Sequence, residues 1–282
     1  MAITKIDTGT IMDVINGMIN AKEFAGVETG YIGLDHMLGG GLEKGKVYLM
    51  AGRPAMGKTA LAINIAFNVI RAGYKVVYAS GELSIKGLIE RMIKTCALLQ
   101  NNAGEYTEEE MIRMIDAAKY IGKKSLVIDD TELSCENICK DSSGLYKDAD
   151  LIIIDYLQLM MILSCNMGEI HDASSLKNQE QICESLRTYA KENNVAILVL
   201  SQIGRSCEAR TDHRPRLSDL KYPIDRYADV VMFLYRDGYY DPESETRDVA
   251  EVNIVKNNNG MTSCVKLMWL QEYLKFLTWE RR

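Results

Sequence analysis

The chain has 282 residues, of which 47% are hydrophobic and 26% are charged, and this composition excludes the class of intrinsically disordered proteins. Its 33 Lys and Arg residues against 39 Asp and Glu residues leave a net charge of −6, so the chain as a whole does not attract nucleic acid or an anionic membrane. The seven cysteines are scattered and odd in number, which predicts packed thiols. The start of the sequence has no secretory pattern, and we therefore expect a cytoplasmic location. No apolar run approaches about 20 residues, so no membrane partner is predicted.

The first predicted element is a helix over residues 8–21. Apolar residues recur there at helical spacing, and the glycines within residues 23–30 end the pattern. We therefore expect residues 1–28 to form a leading helix with a linker, and residues 29–282 to form one large domain. The apolar stripe of the helix has two alternative partners, the body of the same chain or another subunit.

Short apolar runs then alternate with helical patterns along the rest of the chain. The predicted strands are Val47–Ala51, Val76–Ser80, Leu126–Ile128, Leu151–Asp155, Ala196–Ser201 and Val230–Tyr235, and the predicted helices between them are Lys58–Ala72, Lys86–Leu99, Glu108–Ile121 and Gln179–Asn193. Because continuous Val, Ile and Leu runs are typical of parallel strands buried on both faces, we predict an α/β fold with a mostly parallel central sheet flanked by helices. Three further runs, Glu251–Val255, Ser263–Trp269 and Leu274–Trp279, predict a strand and a C-terminal β-hairpin that extend the same sheet.

A phosphate-binding loop is the strongest motif in the sequence. The run Gly52-Arg53-Pro54-Ala55-Met56-Gly57-Lys58-Thr59 follows a predicted strand and opens a predicted helix, which is the context that this motif requires. In such a loop the backbone N–H groups face the phosphates of ATP, the Lys58 ammonium neutralises the β- and γ-phosphates, and the Thr59 hydroxyl binds Mg²⁺. The alternative is an ordinary strand-to-helix turn, which rarely carries four fixed residue types at this spacing.

Three polar residues end or directly follow predicted strands and are candidates for the chemistry at the phosphates. Asp155 ends an apolar strand and is predicted to hold the metal, although a strand-terminal Asp is also a common turn or cap residue. Glu82 follows another strand and is the candidate general base, with a surface acid as the alternative. Gln202 follows a third strand and is a candidate neutral donor to the γ-phosphate.

Several motifs occur in the order and spacing of a known family. They are the loop at 52–59, Tyr78-Ala79-Ser80-Gly81-Glu82-Leu83-Ser84 with Arg91, Asp155-Tyr156-Leu157-Gln158-Leu159-Met160, Leu200-Ser201-Gln202 with Arg205, Arg214-Pro215 with Ser218-Asp219-Leu220, and the run from Ala228 to Asp237. Together they resemble the C-terminal motor domain of DnaB-type replicative helicases, from about residue 29 to about residue 277. The segment Leu38-Gly39-Gly40-Gly41-Leu42 is more similar to the KaiC and RadA relatives, which share the RecA-type core.

The resemblance implies a RecA-like ATPase that assembles as a homo-oligomer, a hexameric ring, with ATP and Mg²⁺ at the subunit interfaces and single-stranded DNA in the central channel. By position it implies nucleotide and metal contacts for Lys58, Thr59 and Asp155, a catalytic base in Glu82 and a γ-phosphate sensor in Gln202. A helicase loader or a primase is an implied partner, and the implied origin is bacterial, phage or mobile-element. The leading helix would correspond to the family's linker helix, which docks on the neighbouring subunit.

The sequence departs from the family in three places. The first is that the family's amino-terminal domain, which engages primase, has no counterpart in these residues, so a fragment and a naturally short form both stay open. The second lies at 255–260, where the family has Lys-Gln-Arg-Asn-Gly and uses its Arg as a finger to the neighbour's γ-phosphate. Asn258 stands in place of that Arg, while Lys256 remains as a predicted nucleotide contact. Lys256 could supply part of the charge of the missing finger, and otherwise Arg236 or another interface Arg is a candidate substitute.

The third departure is the segment 218–225, which replaces a longer loop that touches the DNA backbone in relatives. Lys221 is predicted to contact a phosphate and Tyr222 to stack on a base, in the most basic part of the chain, which also includes Arg205 and Arg214. The alternative is a plain loop with solvated charges. The sequence thus predicts an ATP-dependent DNA helicase motor, and the alternatives are a nucleotide-gated assembly protein with weak turnover and a RadA- or KaiC-like ATPase.

Overall fold

A computed structural model describes residues 26–101, 104–131, 133–141, 143–166, 175–258 and 260–279. The predicted leading helix at 8–21 lies outside these residues. Two residues assigned to the linker from the sequence, Gly26 and Val27, form a short strand that pairs with Leu42 and Glu43. The folded body therefore includes residues that precede the predicted boundary at residue 29.

A nine-stranded sheet forms the centre of the fold. The strands are β1 (Gly26–Val27), β2 (Leu42–Glu43), β3 (Val47–Gly52), β4 (Val76–Ser80), β5 (Leu126–Asp129), β6 (Leu151–Asp155), β7 (Ala196–Gln202), β8 (Val230–Arg236), β9 (Val249–Asn257), β10 (Ser263–Leu270) and β11 (Lys275–Thr278). Strands β1 and β2 pair separately, and the order in the large sheet is β11-β10-β9-β8-β3-β7-β6-β4-β5. The pairs from β8 to β5 are parallel, whereas β9, β10 and β11 extend the sheet in antiparallel fashion. The predicted α/β fold with its C-terminal hairpin is thus confirmed.

Helices cover both faces of the sheet. They are α1 (Ile32–Met37), α2 (Lys58–Arg71), α3 (Ile85–Ala97), α4 (Glu108–Ile121), α5 (Cys135–Lys140), α6 (Leu157–Asn166), α7 (Leu176–Glu192) and α8 (Ile224–Tyr227). The sequence did not predict α6, because its apolar residues form a run instead of a stripe and therefore carry no helical period. Within the described ranges, no helix is long and apolar enough to cross a membrane.

The parallel strands are buried on both faces, as their unbroken apolar runs predict. Along β6, Ile153 packs with α2 and α3, while its neighbours Ile152 and Ile154 pack on the opposite side with α5, α6 and α7. Neighbouring strands repeat this alternation, so two apolar layers hold the sheet between them. This arrangement fixes the register of the strands, because a slip of one residue would exchange the two layers.

The carboxyl ends of the parallel strands form one edge of the sheet. Gly52 at the end of β3 lies opposite Gln202 at the end of β7, and Ser80 at the end of β4 lies opposite Asp155 at the end of β6. Residues distant in sequence are thus brought together where ligands bind in open α/β sheets.

The cysteines differ in their surroundings. Among the described ones, Cys135, Cys183 and Cys207 are buried, whereas Cys264 is exposed on β10. The prediction of packed thiols is therefore wrong for Cys264, because alternate residues of this outer strand face solvent. The Sγ atoms of Cys135 and Cys139 lie 3.7 Å apart on successive turns of α5.

The three glycines after α1 allow a tight turn against β1. Gly39, Gly40 and Gly41 all have positive φ, and a Cβ on Gly41 would lie 2.5 Å from the carbonyl oxygen of Val27. A Cβ on Gly39 would meet no atom within 4 Å. The close approach of β1 therefore explains the glycine at position 41 without reference to any ligand.

We expect Gly41→Ala to lower the free energy of unfolding by at least about 2 kcal/mol, because it adds a clash with backbone to an unfavourable φ. The matched variant Gly39→Ala keeps only the φ penalty of about 1 kcal/mol. Urea denaturation followed by circular dichroism measures both. Equal losses in the two variants would contradict the account of the turn.

Candidate active site

The phosphate loop joins the end of β3 to the start of α2. Gly57 directly precedes the helix with φ of +98°, a left-handed conformation that favours glycine. A Cβ on Gly57 would lie 3.2 Å from Cζ of Phe276, and a Cβ on Gly52 would lie 2.8 Å from the carbonyl oxygen of Leu234. The strands packed around the loop therefore require the two glycines of the motif.

The Lys58 ammonium is turned into the loop. It donates hydrogen bonds of 2.9 Å to the carbonyl oxygens of Gly52 and Arg53. Burial lowers the pKa of Lys58 to about 8, while the carboxylates of Asp155 and Glu82 act in the opposite direction. A phosphate bound at this loop would add negative charge and favour the protonated ammonium. The lysine is thus suited to an anionic ligand.

Arg236, at the end of β8, holds the same loop from the other side. Its Nε donates to the carbonyl oxygen of Met56 at 3.0 Å, and its Nη2 donates to that of Ala55 at 2.8 Å. The buried guanidinium also lies over the Trp269 ring, 4.9 Å from its centroid. The structure therefore contradicts the expectation that Arg236 replaces the arginine finger, because its donors already hold the loop of its own chain.

Asp155 and Thr59 lie side by side at the base of the site. The Asp155 carboxylate ends β6, is 2% exposed and accepts a hydrogen bond of 2.9 Å from the Tyr78 hydroxyl. Burial raises the pKa of Asp155, and hydrogen bonds from Tyr78 and Thr59 oppose that shift. A hydroxyl and a carboxylate beside a phosphate loop are the protein oxygens that Mg²⁺ uses in P-loop enzymes, so these residues fit the metal.

Glu82 lies in a turn whose shape is fixed by its neighbours. The Ser80 hydroxyl accepts from the Leu83 N–H at 3.1 Å and donates to the Leu83 carbonyl oxygen at 2.7 Å. The Gly81 N–H donates to the carbonyl oxygen of Asp155 at 2.7 Å, which joins the turn to the end of β6. The exposed Glu82 side chain lines the same cleft as Lys58.

Gln202 is held at the end of β7 by a second glutamine. The Gln158 side chain on α6 accepts from the Gln202 N–H at 3.1 Å and donates to the Gln202 carbonyl oxygen at 2.9 Å. It also donates to the Ser201 hydroxyl at 2.8 Å. This role of Gln158 was not predicted from the sequence, although the residue stands in the motif that begins at Asp155.

One cleft of about 320 Å³ brings together Lys58, Thr59, Glu82, Asp155 and Gln202. Its walls are Pro54, Ala55, Gly57, Lys58, Thr59, Ala60, Glu82, Arg91, Asn101, Asp155, Tyr156, Gln202, Trp269 and Leu274. Six of these residues had no predicted role in the site, and they are Ala60, Arg91, Asn101, Tyr156, Trp269 and Leu274. Arg91 and Tyr156 belong to motifs already noted, but no local signal connects Trp269 or Leu274 with a loop so far away in sequence.

The chain as a whole is similar to known proteins. Residues 26–278 match the family described as DnaB-like helicase C terminal domain. The chain belongs to this family. It is 36% identical to the replicative DNA helicase DnaB of Geobacillus stearothermophilus and 35% identical to the replicative DNA helicase DnaC of Bacillus subtilis. The alignments cover 92% and 96% of this chain but 58% and 60% of those relatives, so the chain spans about three fifths of their length.

A solved structure supports the same DnaB-like assignment. The ATPase domain of the protein G40P superposes with a TM-score of 0.86 at 30% identity, covering 99% of this chain and 100% of that one. A KaiC-like protein of Pyrococcus horikoshii superposes with a TM-score of 0.62 at 16% identity, which shows only the shared fold. The chain thus has the RecA-like fold of DnaB-like ATPase domains.

Two predicted residues of the DnaB-like domain lie at the opposite edge of the sheet. Lys256 pairs with Val231 at the start of β8, and its ammonium donates to the carbonyl oxygens of Asp225 and Ala228 at 2.8 and 2.7 Å. Asn258 follows β9 and is exposed. The structure therefore does not bring Lys256 into the nucleotide cleft of its own chain, because β9 runs antiparallel and carries the residue to the far edge.

The four predicted DNA contacts of the DnaB-like domain have different environments. Tyr222 is only 8% exposed and packs within the apolar layer, so the structure contradicts the expectation that it stacks on a base. The Arg214 guanidinium binds both carboxylate oxygens of Glu251, at 2.7 and 3.2 Å, and this pairing contradicts a free phosphate contact. Arg205 and Lys221 are exposed, and within the described part of the chain neither has a salt-bridge partner.

The buried carboxylate of Asp219 organises the basic segment that follows Gln202, which is residues 205–216 with Arg205, Arg210, Arg214 and Arg216. Asp219 accepts from the Ser206 hydroxyl at 2.6 Å, from Arg210 Nη1 at 3.1 Å and from the Arg216 N–H at 2.8 Å. The hydrogen bond from Arg210 contributes most to lowering the pKa of Asp219 to about 2. Asp219 thus fixes the shape of the segment that carries Arg205.

The stabilisation by Asp219 should depend on pH. Because the pKa of its carboxyl is lower in the folded chain than the value of about 3.9 in the unfolded chain, its contribution is complete above that value and is lost as the pH falls toward about 2. We expect the difference in unfolding free energy between wild type and Asp219→Asn to be constant from about pH 7 to about pH 5 and to shrink below about pH 4. Urea titrations across this range measure it. A difference that does not change with pH would refute the assignment.

Proposed function

We propose that this chain is the ATP-hydrolysing motor domain of a DnaB-like replicative helicase and couples hydrolysis of Mg²⁺-ATP to movement along single-stranded DNA. The observation that carries the proposal is the cleft in which Lys58, Thr59, Asp155, Glu82 and Gln202 meet. A loop with a purely structural role would need its glycines and its packing against the strands. It would not need a candidate base, a carboxylate suited to Mg²⁺ and an amide donor around the position where the loop would bind the γ-phosphate.

The chemistry divides among these side chains. Lys58 and the backbone N–H groups of the loop bind the β- and γ-phosphates, and Thr59 with Asp155 holds Mg²⁺, which neutralises charge on the phosphate oxygens when it is bound. Glu82 is in the position to accept a proton from the attacking water. Gln202 donates from the end of β7, where its backbone is fixed by Gln158, so it can respond to the γ-phosphate and move the basic segment that follows it.

Assembly and partners belong to the same proposal. Replicative helicases are the relatives named above, and a solved DnaB-like helicase that superposes with a TM-score of 0.85 at 30% identity is described together with its interactions with primase. We infer a homo-oligomeric ring, a hexamer, in which single-stranded DNA contacts Arg205 and Lys221, with a loader or primase as further partner. Such a motor would act in the cytoplasm of a bacterium or of a phage-infected or mobile-element-carrying cell.

A second candidate function is a nucleotide-gated assembly protein with weak turnover. It is favoured by the amide of Asn258, which lacks the charge and the two parallel donors of an arginine finger. The binding of Arg236 to its own loop removes one substitute for that finger. The Lys256 ammonium is likewise bound within its own chain, to the carbonyl oxygens of Asp225 and Ala228.

Steady-state ATP hydrolysis with and without single-stranded DNA at low salt separates the two candidates. We expect the rate of ATP hydrolysis to rise several-fold when DNA is added. In a motor that moves along DNA, the release of ADP and phosphate is coupled to the making and breaking of contacts with the DNA backbone. Lys58→Ala should abolish turnover, because it removes the charge that faces the phosphates. Tight ATP binding with no stimulation by DNA would favour the assembly protein, and the absence of ATP binding would exclude both.

Asn258→Arg tests whether the lost finger limits turnover. An arginine finger contributes about 10³- to 10⁵-fold to turnover in related phosphoryl-transfer enzymes, so even partial restoration should raise hydrolysis at least about tenfold in the assembled ring. Asn258→Lys is the matched control, because it adds charge without the bidentate geometry and should give a smaller gain. The initial rate of phosphate release, measured as the protein concentration is raised through ring assembly, reports the effect. Unchanged rates in Asn258→Arg would show that another residue completes the site.

A further inference from the structure

The Asp155 carboxylate has a hydrogen-bond donor that phosphate-loop chemistry does not require. Tyr78 lies on β4, next to β6, and the two strands pair so that Ser80 faces Asp155 and Tyr78 faces Ile153. The Tyr78 side chain reaches two residues along the neighbouring strand and donates its hydroxyl to Oδ2 of Asp155 at 2.9 Å. The ring is completely buried in the apolar layer that also contains α2.

Burial keeps the Tyr78 hydroxyl on the Asp155 carboxylate. A fully buried phenol has no water to exchange with, so its hydroxyl keeps a protein acceptor, and Asp155 Oδ2 is that acceptor. The hydrogen bond occupies one carboxylate oxygen from the side of the core. The carboxylate is thereby oriented toward Thr59 and the cleft, because rotation about its Cβ–Cγ bond would break the contact.

We propose that Tyr78 is a positioning residue for Asp155 and sets the affinity of the nucleotide site for Mg²⁺. The inference rests on the proposed function, since it assigns the metal to Thr59 and Asp155. Groups that orient a metal ligand typically change metal affinity by about 10- to 100-fold when they are removed. Tyr78 touches neither nucleotide nor metal in this account, so it acts only through the carboxylate.

Tyr78→Phe removes the hydroxyl and keeps the ring, so the core volume changes little. We expect the affinity for a fluorescent ADP analogue in EDTA to stay within about twofold of wild type, because the phosphate loop is intact. The Mg²⁺ concentration for half-maximal tightening of ADP binding should rise about tenfold. Electron paramagnetic resonance of Mn²⁺ in the ADP complex gives a direct measure of metal affinity that does not depend on turnover.

Tyr48→Phe is the matched control. Tyr48 is also buried in the same apolar layer, but its hydroxyl accepts from the Glu43 N–H at 2.7 Å near the start of β3, at the opposite edge from the cleft. This variant also loses a buried, hydrogen-bonded hydroxyl, but one without contact to Asp155, and it should keep the wild-type Mg²⁺ requirement. A general loss of stability would change both variants alike, whereas positioning of Asp155 changes only Tyr78→Phe.

The outcomes separate the inference from the proposed function. A Mg²⁺ requirement of Tyr78→Phe within about twofold of wild type, with ADP still bound, overturns the inference alone. Wild type that binds no ADP overturns the proposed function and the inference with it. If Tyr78→Phe does not fold, Tyr78→Ile gives the same test, because a β-branched residue suits a buried parallel strand. In an Asp155→Asn background, Tyr78→Phe should have no further effect on the metal requirement.

Discussion

The rest of the site depends on two buried cations that hold the carbonyl oxygens of the phosphate loop. Lys58 binds the carbonyls of Gly52 and Arg53, and Arg236 binds those of Ala55 and Met56. With these oxygens held by protein, the loop can leave its N–H groups to an anionic ligand. A loop of this length would otherwise have to satisfy its carbonyls with water, and its shape would vary. The cations therefore make the site rigid before any nucleotide arrives.

The antiparallel extension of the sheet takes part in the nucleotide site. Trp269 on β10 and Phe276 on β11 pack together, with 4.4 Å between their ring centroids, and lie against Gly57. The buried side chain of Asn64 on α2 donates to the carbonyl oxygen of Leu274 at 3.1 Å and accepts from the Phe276 N–H at 3.1 Å. The helix that begins at the phosphate loop is thus fixed to the last strands of the chain. A local motif near residue 55 depends on packing supplied by residues near 270.

The number of arginines in the proposed DNA-binding segment overstates the positive charge that the segment offers to a polyanion. Several of the arginines after Gln202 pair with carboxylates of the chain itself, and this pairing gives the segment its shape. In a chain with net charge of −6, such pairs lower the repulsion among the arginines but leave fewer of them for a polyanion. The phosphate loop reaches the same segment through Arg53, whose guanidinium binds Glu208 at 2.8 Å and the carbonyl oxygen of Ile203 at 3.0 Å. The nucleotide site and the basic segment therefore share a contact as well as a strand end.

The sequence by itself determined the parallel strands, the phosphate loop and the position of the Asp155 carboxylate at a strand end, because these features are local: apolar runs of strand length, a loop between a strand and a helix, and an acid at the end of an apolar run. Glu82 and Gln202 could be chosen for the same reason, since carboxyl ends of parallel strands meet at one edge. Only the tertiary structure decided that Arg236 serves its own loop, that Tyr222 is buried and that Lys256 lies far from the cleft. Each of these outcomes depends on which strand a residue pairs with and which face it occupies, and contacts between residues up to about 180 positions apart leave no periodic signal in the sequence. Helix α6 was not predicted for a related reason. A helix that is buried on several sides is apolar on several sides, so its sequence lacks the alternation of polar and apolar faces by which a helix is recognised.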